Sequence, residues 1–97
     1  NLDWVALSFV RKPEDVHGLR GILQAKGSPA KIIAKIEKPE ALKQLREIIL
    51  ASDAVMVARG DLGVELPLER VPMVQKDIVS KCIHRAKPVI IATQMME

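Results

Sequence analysis

Four short apolar runs, rich in valine and isoleucine, recur along the chain and limit the folds that it can adopt. They cover residues 4–10, 31–36, 54–58 and 88–92. Continuous apolar runs, rather than a strict alternation of apolar and polar residues, are typical of strands covered on both faces, as in parallel sheets. The runs start roughly 23 to 34 residues apart, a spacing expected of repeated strand-helix-strand units.

Segments with apolar residues at helical spacing lie between these runs. Pro13 and Pro39 each open such a segment, because the first turn of a helix leaves its N–H groups unpaired and proline has none to lose. A longer loop bracketed by Pro67 and Pro72 leads into the third segment. Four parallel strands with three connecting helices form either about half of a (β/α)8 barrel, which needs about 250 residues, or part of a doubly wound sheet. The pattern leaves both architectures open.

Size and the two ends of the chain indicate one partial domain. The 97 residues are 48% hydrophobic, which is enough for one small core. No linker or repeat marks a boundary within residues 1–97. Because the chain starts at Asn1 without a methionine and stops at Glu97 just after an apolar run, we expect a piece of a longer protein.

Composition disfavours several function classes. One Trp, one Phe and no Tyr leave almost no rings on which bases could stack, which argues against a single-stranded nucleic-acid partner. No signal segment and no uninterrupted apolar run of membrane-helix length is present. The only cysteine, Cys82, cannot form an internal disulfide. We therefore predict a cytoplasmic protein with neither a membrane nor a nucleic acid as its partner.

Polar residues follow each apolar run, at the place where parallel α/β folds bind their ligands. They are Ser8 and Arg11, Lys35 and Glu37, Arg59 with Gly60 and Asp61, and Thr93 with Gln94. Because side chains alternate along a strand, Lys35 and Glu37 point to the same face. These two form either a structural ion pair or part of a ligand site, and chemistry at all four strand ends favours the site. Thr93 taken alone is either a helix N-cap or a hydrogen-bonding group of that site.

Glu37 and Asp61 suggest a divalent metal, since carboxylate oxygens are the ligands that Mg²⁺ prefers. Gly60 and Gly63 let backbone N–H groups approach a ligand closely, and a short helix that begins near Asp61 would direct its positive end at an anion. Two alternatives stay open at this point. The acids are unrelated surface groups, or residues 59–61 form an Arg-Gly-Asp tripeptide of the kind that adhesion receptors bind.

Four stretches of the chain resemble consecutive signature stretches of the pyruvate kinase family. They are SFVRKPEDV, IIAKIEKPEAL, SDAVMVARGDLGVELP and KPVIIATQMME, in the family's order and across essentially the whole chain. The resemblance implies a (β/α)8 TIM barrel, of which these would be the last four strands. It also implies that the first half of the barrel, the lid domain and the C-terminal domain lie outside residues 1–97.

The resemblance further implies a reaction and a role for individual residues. The phosphoryl group of phosphoenolpyruvate would pass to ADP, giving pyruvate and ATP in the last step of glycolysis. Lys35 would neutralise charge on the moving phosphoryl group, while Glu37 and Asp61 would bind Mg²⁺ or Mn²⁺. The backbone amides of Gly60 and Asp61 would hold the substrate carboxylate, and Thr93 would lie beside the enolpyruvate carbon. Supporting contacts would come from Ser8, Ala58 and Arg59.

Expectations about the whole protein follow from the same resemblance. A potassium ion would be needed, with ligands outside this chain, and the parent enzyme would be a homotetramer. Alone, the chain would present about half of an active site and two open sheet edges, so we predict that it is inactive by itself. The remaining alternatives are a metal-dependent lyase of the phosphoenolpyruvate and pyruvate class, a non-catalytic scaffold, and the adhesion module.

Overall fold

The structure is a computed structural model that describes residues 3–92, with the side chains of residues 60, 61, 65 and 68 outside the description. Its strands are β1 (Trp4–Leu7), β2 (Lys31–Ile36), β3 (Ala54–Ala58) and β4 (Val89–Ala92). Neighbouring strands are parallel and follow the order β1-β2-β3-β4. The prediction of four parallel strands is confirmed, although the first strand ends at Leu7 rather than at residue 10.

In the described residues, the first connection is a single helix and the other two contain more than one helical segment. They are α1 (Pro13–Ala25), a 3₁₀ segment (Pro39–Gln44) with α2 (Leu45–Ala51), and α3 (Arg59–Glu65), a second 3₁₀ segment (Leu68–Arg70) and α4 (Val71–His84). The last connection therefore holds two α-helices where the sequence predicts one. Helix α3 stops early because Leu66 precedes Pro67 and is extended, at φ −112° and ψ 149°, since a residue before proline avoids the helical conformation.

Helix α1 begins and ends at the residues that the sequence indicates. Pro13 lies in its first turn, and the Asp15 carboxylate accepts hydrogen bonds from the backbone N–H groups of Arg11 (3.0 Å) and Lys12 (3.3 Å). The chain leaves the helix through Gly27 at φ 68°, a left-handed conformation that glycine adopts at little cost. These local interactions set the direction in which α1 leaves the end of β1.

The hydrophobic core lies on one face of the sheet. Ile32, Ala34 and Ile36 of β2 are fully buried, in one cluster with residues of β3 and of the helices. Helix α1 packs against α2, and α2 packs against α4, so the three cover the same face. A doubly wound sheet has helices on both faces and a reversal of strand order. Strands in chain order with helices on one face are instead the arrangement of a (β/α)8 barrel.

A partly buried ionic network joins the amino-terminal ends of β2 and β3. Oδ2 of Asp53 accepts hydrogen bonds from the Ile32 amide (2.9 Å) and from Nη2 of Arg20 (3.1 Å). The same Nη2 donates to the carbonyl oxygen of Ala51 at 2.8 Å. Burial opposes the charged form of Asp53, but the Ile32 and Arg20 hydrogen bonds and the charge of Arg20 outweigh it and lower the pKa of Asp53. This network fixes the sheet at the end opposite the carboxyl ends of the strands.

Candidate active site at the carboxyl ends of the strands

Lys35 and Glu37 lie at the end of β2, on the face of the sheet opposite the helices. The Nζ atom of Lys35 is 3.4 Å from Oε1 of Glu37. Glu37 is 4% exposed, whereas 31% of the Lys35 side chain is exposed. The shared face that the sequence predicts is therefore present, with a buried carboxylate and an ammonium group that reaches solvent.

Ser8 provides a second contact for Lys35. The register pairs Leu7 with Ala34, so Ser8 lies beside Lys35 at the next position along both strands. Nζ of Lys35 donates a hydrogen bond to Oγ of Ser8 at 3.5 Å, which is at the long end of the range for such bonds. The ammonium group therefore lies between a hydroxyl group and a carboxylate that come from neighbouring strands.

Met56 and Ile90 continue the same row across the sheet. The register pairs Lys35 with Met56 and Met56 with Ile90, so all three side chains face the same way. Met56 is the direct neighbour of Lys35 in this row, and its apolar side chain lowers the polarity around the ammonium, which strengthens interactions with charged partners. Reasoning from the sequence missed both residues, because the strand register that places them in one row with Lys35 is a property of the folded sheet.

Oε1 of Glu37 has an unusual environment. It is buried and accepts no hydrogen bond from any described residue, because Nζ of Lys35 lies near it without the geometry of a hydrogen bond. A buried carboxylate oxygen without a donor costs free energy unless a cation compensates it. Such an oxygen fits a hard divalent cation such as Mg²⁺. Within the described side chains no three acidic, histidine or cysteine groups form a metal cluster, and the Asp61 side chain lies outside that set.

The third strand runs directly into the Arg-Gly-Asp tripeptide because a helix starts there. Ala58 is the last residue of β3 and lies beside Glu37 by extension of the register between Ile36 and Val57. Helix α3 begins at Arg59, two residues before the start near Asp61 that the sequence suggests. The backbone of residues 59–61 therefore lies at the strand-to-helix junction, and the Arg59 side chain is exposed.

Two further residues predicted for the site follow the fourth strand. Thr93 and Gln94 lie outside the described residues. The last described residue of β4, Ala92, pairs with Ala58, so β4 ends at the same edge of the sheet as β3. Thr93 is thus one residue beyond this edge in the sequence.

Arg11 is not part of the Lys35 cluster. Its Nε atom lies 3.3 Å from Oε1 of Glu40, and both side chains are more than half exposed. The pair lines an open cavity of about 870 Å³ beside Ser8 and Phe9. Exposed ion pairs of this kind contribute little to stability, so the predicted strand-end residue Arg11 belongs to a solvated rim next to the site.

Comparison with known proteins decides the family. The family described as the pyruvate kinase barrel domain matches residues 1–97 of this chain. The chain belongs to the pyruvate kinase family. Among its relatives, a pyruvate kinase of Mycobacterium tuberculosis is 57% identical over 96 residues, and one of Corynebacterium efficiens is 55% identical over 96 residues. Each match covers 99% of this chain and 20% of the relative, so the chain spans about a fifth of the length of these pyruvate kinases.

Membership in the pyruvate kinase family confirms the resemblance predicted from the four sequence stretches. It also agrees with the sequential parallel sheet and its one-sided layer of helices, so the expected partial barrel is confirmed over the doubly wound alternative. The lyase, scaffold and adhesion alternatives are not favoured by any of these matches. None of the described helices combines the length and the apolarity needed to span a membrane.

Proposed function

We propose that this chain forms part of the catalytic barrel of a pyruvate kinase, which transfers the phosphoryl group of phosphoenolpyruvate to ADP and gives pyruvate and ATP. The observation that carries this proposal is the position of the Lys35 ammonium between Glu37 and Ser8 at the carboxyl end of a parallel sheet. The names of the relatives agree with it. Such a reaction is the last step of glycolysis, which takes place in the cytoplasm.

Lys35 neutralises negative charge on the phosphoryl group as it moves. Phosphoryl transfer needs positioning and charge stabilisation more than it needs covalent chemistry from the protein. The side chain is partly exposed, so its ammonium can meet a ligand that enters from solvent, while Glu37 and Ser8 restrict its position. The apolar neighbour Met56 increases the electrostatic effect of the charge.

A divalent metal ion completes the charge balance of the site. Family membership implies a metal-dependent reaction, and we assign Mg²⁺ or Mn²⁺ to the carboxylates of Glu37 and Asp61. The buried Oε1 of Glu37, which has no hydrogen-bond donor among the described residues, supports this assignment. When bound, the metal neutralises substrate oxygens and stabilises the enolate that remains after transfer. A potassium ion with ligands outside this chain belongs to the same proposal.

The remaining roles rest on position along the chain. The backbone amides of Gly60 and Asp61 bind the substrate carboxylate, and their place in the first turn of α3 supports this role. Thr93 orients the group or water that protonates the enolpyruvate carbon, and it directly follows β4 in the sequence. Ser8, Ala58 and Arg59 are supporting residues at the same edge of the sheet.

The experiment is pyruvate formation from phosphoenolpyruvate by the full-length protein, with and without ADP and Mg²⁺. We expect turnover to require both, and Lys35→Met to reduce kcat by at least about a hundredfold because an interaction made mainly in the transition state is lost. Lys26→Met is the matched control, since this exposed lysine directly follows α1 and is far from the cluster in sequence. It should leave kcat unchanged.

Two outcomes would contradict the proposal. Pyruvate formation without ADP would indicate a lyase that uses the same substrate and metal without transferring phosphate. Full activity of Lys35→Met would remove the assigned role of the lysine. Assembly of the parent protein as a homotetramer is a separate proposal, and light scattering of the full-length enzyme tests it.

A further inference from the structure

Phe9 has a backbone conformation that aromatic residues rarely adopt. Its φ angle is 59°, in the left-handed region, where a side chain larger than that of glycine meets steric conflict. The residue is 60% exposed, so burial of the ring does not offset this strain. Strained backbone of this kind persists where the surrounding structure requires it and is often found at functional sites.

The residues on either side of Phe9 point to opposite faces of the sheet. Ser8 faces the site and accepts the hydrogen bond from Lys35. Val10 is fully buried and belongs to the core cluster on the helix side, together with Ile36. In an extended strand, residues two apart face the same way, so Ser8 and Val10 would share one face.

The left-handed backbone of Phe9 lets the Ser8 and Val10 side chains point to opposite faces of the sheet. With Phe9 extended, a core-facing Val10 would turn Ser8 away from Lys35. If Ser8 instead stayed in place, Val10 would enter the row of side chains beside Glu37 and leave the core. The strained residue therefore allows one short segment to supply both a site hydroxyl and a core side chain.

We propose that Phe9 is a positioning residue for Lys35, which acts through Ser8 by means of its left-handed backbone and not through its ring. This inference rests on the proposed phosphoryl transfer for its kinetic consequence. Its structural consequence, the restriction of the Lys35 ammonium by Ser8, is independent of the reaction.

The kinetic test uses a series of substitutions at Phe9 in the full-length enzyme. Glycine and asparagine accept the left-handed region, alanine accepts it less well, and β-branched isoleucine resists it. We expect kcat to follow that order, with Phe9→Gly within about twofold of wild type and Phe9→Ile lower by about tenfold or more, because small displacements of a charged group are costly. The KM for phosphoenolpyruvate should change less than kcat.

A different ranking would overturn the proposal. If kcat follows the size of the side chain, so that Phe9→Gly is the worst variant, the ring and not the backbone is responsible. This comparison holds even if Phe9→Ile fails to fold, because the glycine, asparagine and alanine variants rank the two explanations without it.

A double substitution distinguishes positioning through Ser8 from a general structural effect. If Phe9 acts through Ser8, adding Ser8→Ala to Phe9→Ile lowers kcat little further than the more harmful of the two single substitutions. If the reduction of kcat in the double variant instead equals the product of the two single reductions, Phe9 does not act through the hydroxyl group of Ser8.

The labelling of Lys35 by an amine-reactive reagent gives a readout that does not depend on catalysis. Mass spectrometry measures its rate relative to Lys26, an exposed lysine that directly follows α1. We expect the relative rate for Lys35 to rise in Phe9→Ile, because a β-branched side chain resists the left-handed region, and to stay at the wild-type value in Phe9→Gly. An unchanged rate in Phe9→Ile would overturn the inference. Wild-type enzyme that labels as expected but forms no pyruvate would instead refute the proposed function alone.

Discussion

Nζ of Lys35 lies 3.4 Å from Oε1 of Glu37, and that oxygen is buried with no hydrogen-bond donor in the part of the chain that the structure describes. The ammonium offsets part of the cost of burying the carboxylate, but breaking or leaving incomplete a buried polar arrangement is destabilising. The same arrangement of Glu37 favours cation binding, because the lone pairs of Oε1 that are not used in hydrogen bonds can coordinate a cation. Stability and the proposed metal binding therefore make opposite demands on Glu37.

Neutralising Glu37 tests this opposition. In full-length protein without divalent ions, we expect Glu37→Gln to raise the free energy of unfolding by about 1 kcal/mol, because it removes a buried charge that the Lys35 ammonium offsets only in part. The same substitution should weaken Mn²⁺ binding at least about tenfold, since a metal ligand is lost. Urea unfolding and the electron paramagnetic resonance signal of free Mn²⁺ measure the two effects.

Glu40→Gln is the control for Glu37→Gln. The Glu40 carboxylate is exposed and pairs with Arg11 on the rim of the site, so its loss should change stability and Mn²⁺ affinity very little. If Glu37→Gln binds Mn²⁺ with wild-type affinity, Glu37 is not a metal ligand. If Glu37→Gln instead lowers the free energy of unfolding strongly, the charge of Glu37 is well compensated in the wild-type protein.

Much of the fold follows from local sequence signals. The strands appear where valine and isoleucine cluster, and α1 begins at Pro13 and ends before Gly27, because these signals act within a few residues. The early end of β1 was not predicted. Phe9 adopts a left-handed conformation that its residue type disfavours, and only the tertiary demands on Ser8 and Val10 account for it.

The candidate site is partly predictable for the same reason. Alternation along one strand places Lys35 and Glu37 together, and this needs no knowledge of other strands. Met56 and Ile90 join the same row through the register between strands. That register cannot be read directly from the sequence. The cavity beside Arg11 and Glu40 likewise depends on how the loop after β1 approaches the 3₁₀ segment Pro39–Gln44.

The network around Asp53 predicts a pH-dependent contribution to stability. The pKa of Asp53 is lowered in the folded protein, so its contribution is present above the ordinary value of 3.8 and is lost as the pH falls through the folded pKa. We expect Asp53→Asn to cost about 1 kcal/mol at neutral pH, and the difference from wild type to disappear in acid. Urea unfolding of full-length protein across the acidic range measures it.

Asp77→Asn is the matched control for Asp53→Asn. Asp77 pairs with Lys81 one helical turn away at 2.6 Å, but its side chain is 56% exposed, and exposed pairs contribute little. A constant difference between wild type and Asp53→Asn at all pH values would show that shape, and not charge, explains the effect.

Ala86 offers a site at which glycine should stabilise the protein. It lies just after α4 with φ at 53°, where an alanine side chain is strained and glycine is not. We expect Ala86→Gly to raise the free energy of unfolding by about 0.5 to 1 kcal/mol. Ala25→Gly, in the last turn of α1, should have the opposite sign, because helical glycine is unfavourable. Destabilisation by Ala86→Gly in urea unfolding would contradict the strained conformation.

The isolated 97-residue chain should have no pyruvate kinase activity. It carries Lys35 and Glu37, but the described sheet ends in two unpaired edges, β1 and β4, and it spans about a fifth of the length of its relatives. Unpaired edges favour association with other chains, so we expect concentration-dependent oligomers in sedimentation velocity and no pyruvate above the blank. Turnover by a monomeric chain that Lys35→Met abolishes would show that half of the barrel is enough to build the site, and that the missing strands contribute stability and not chemistry.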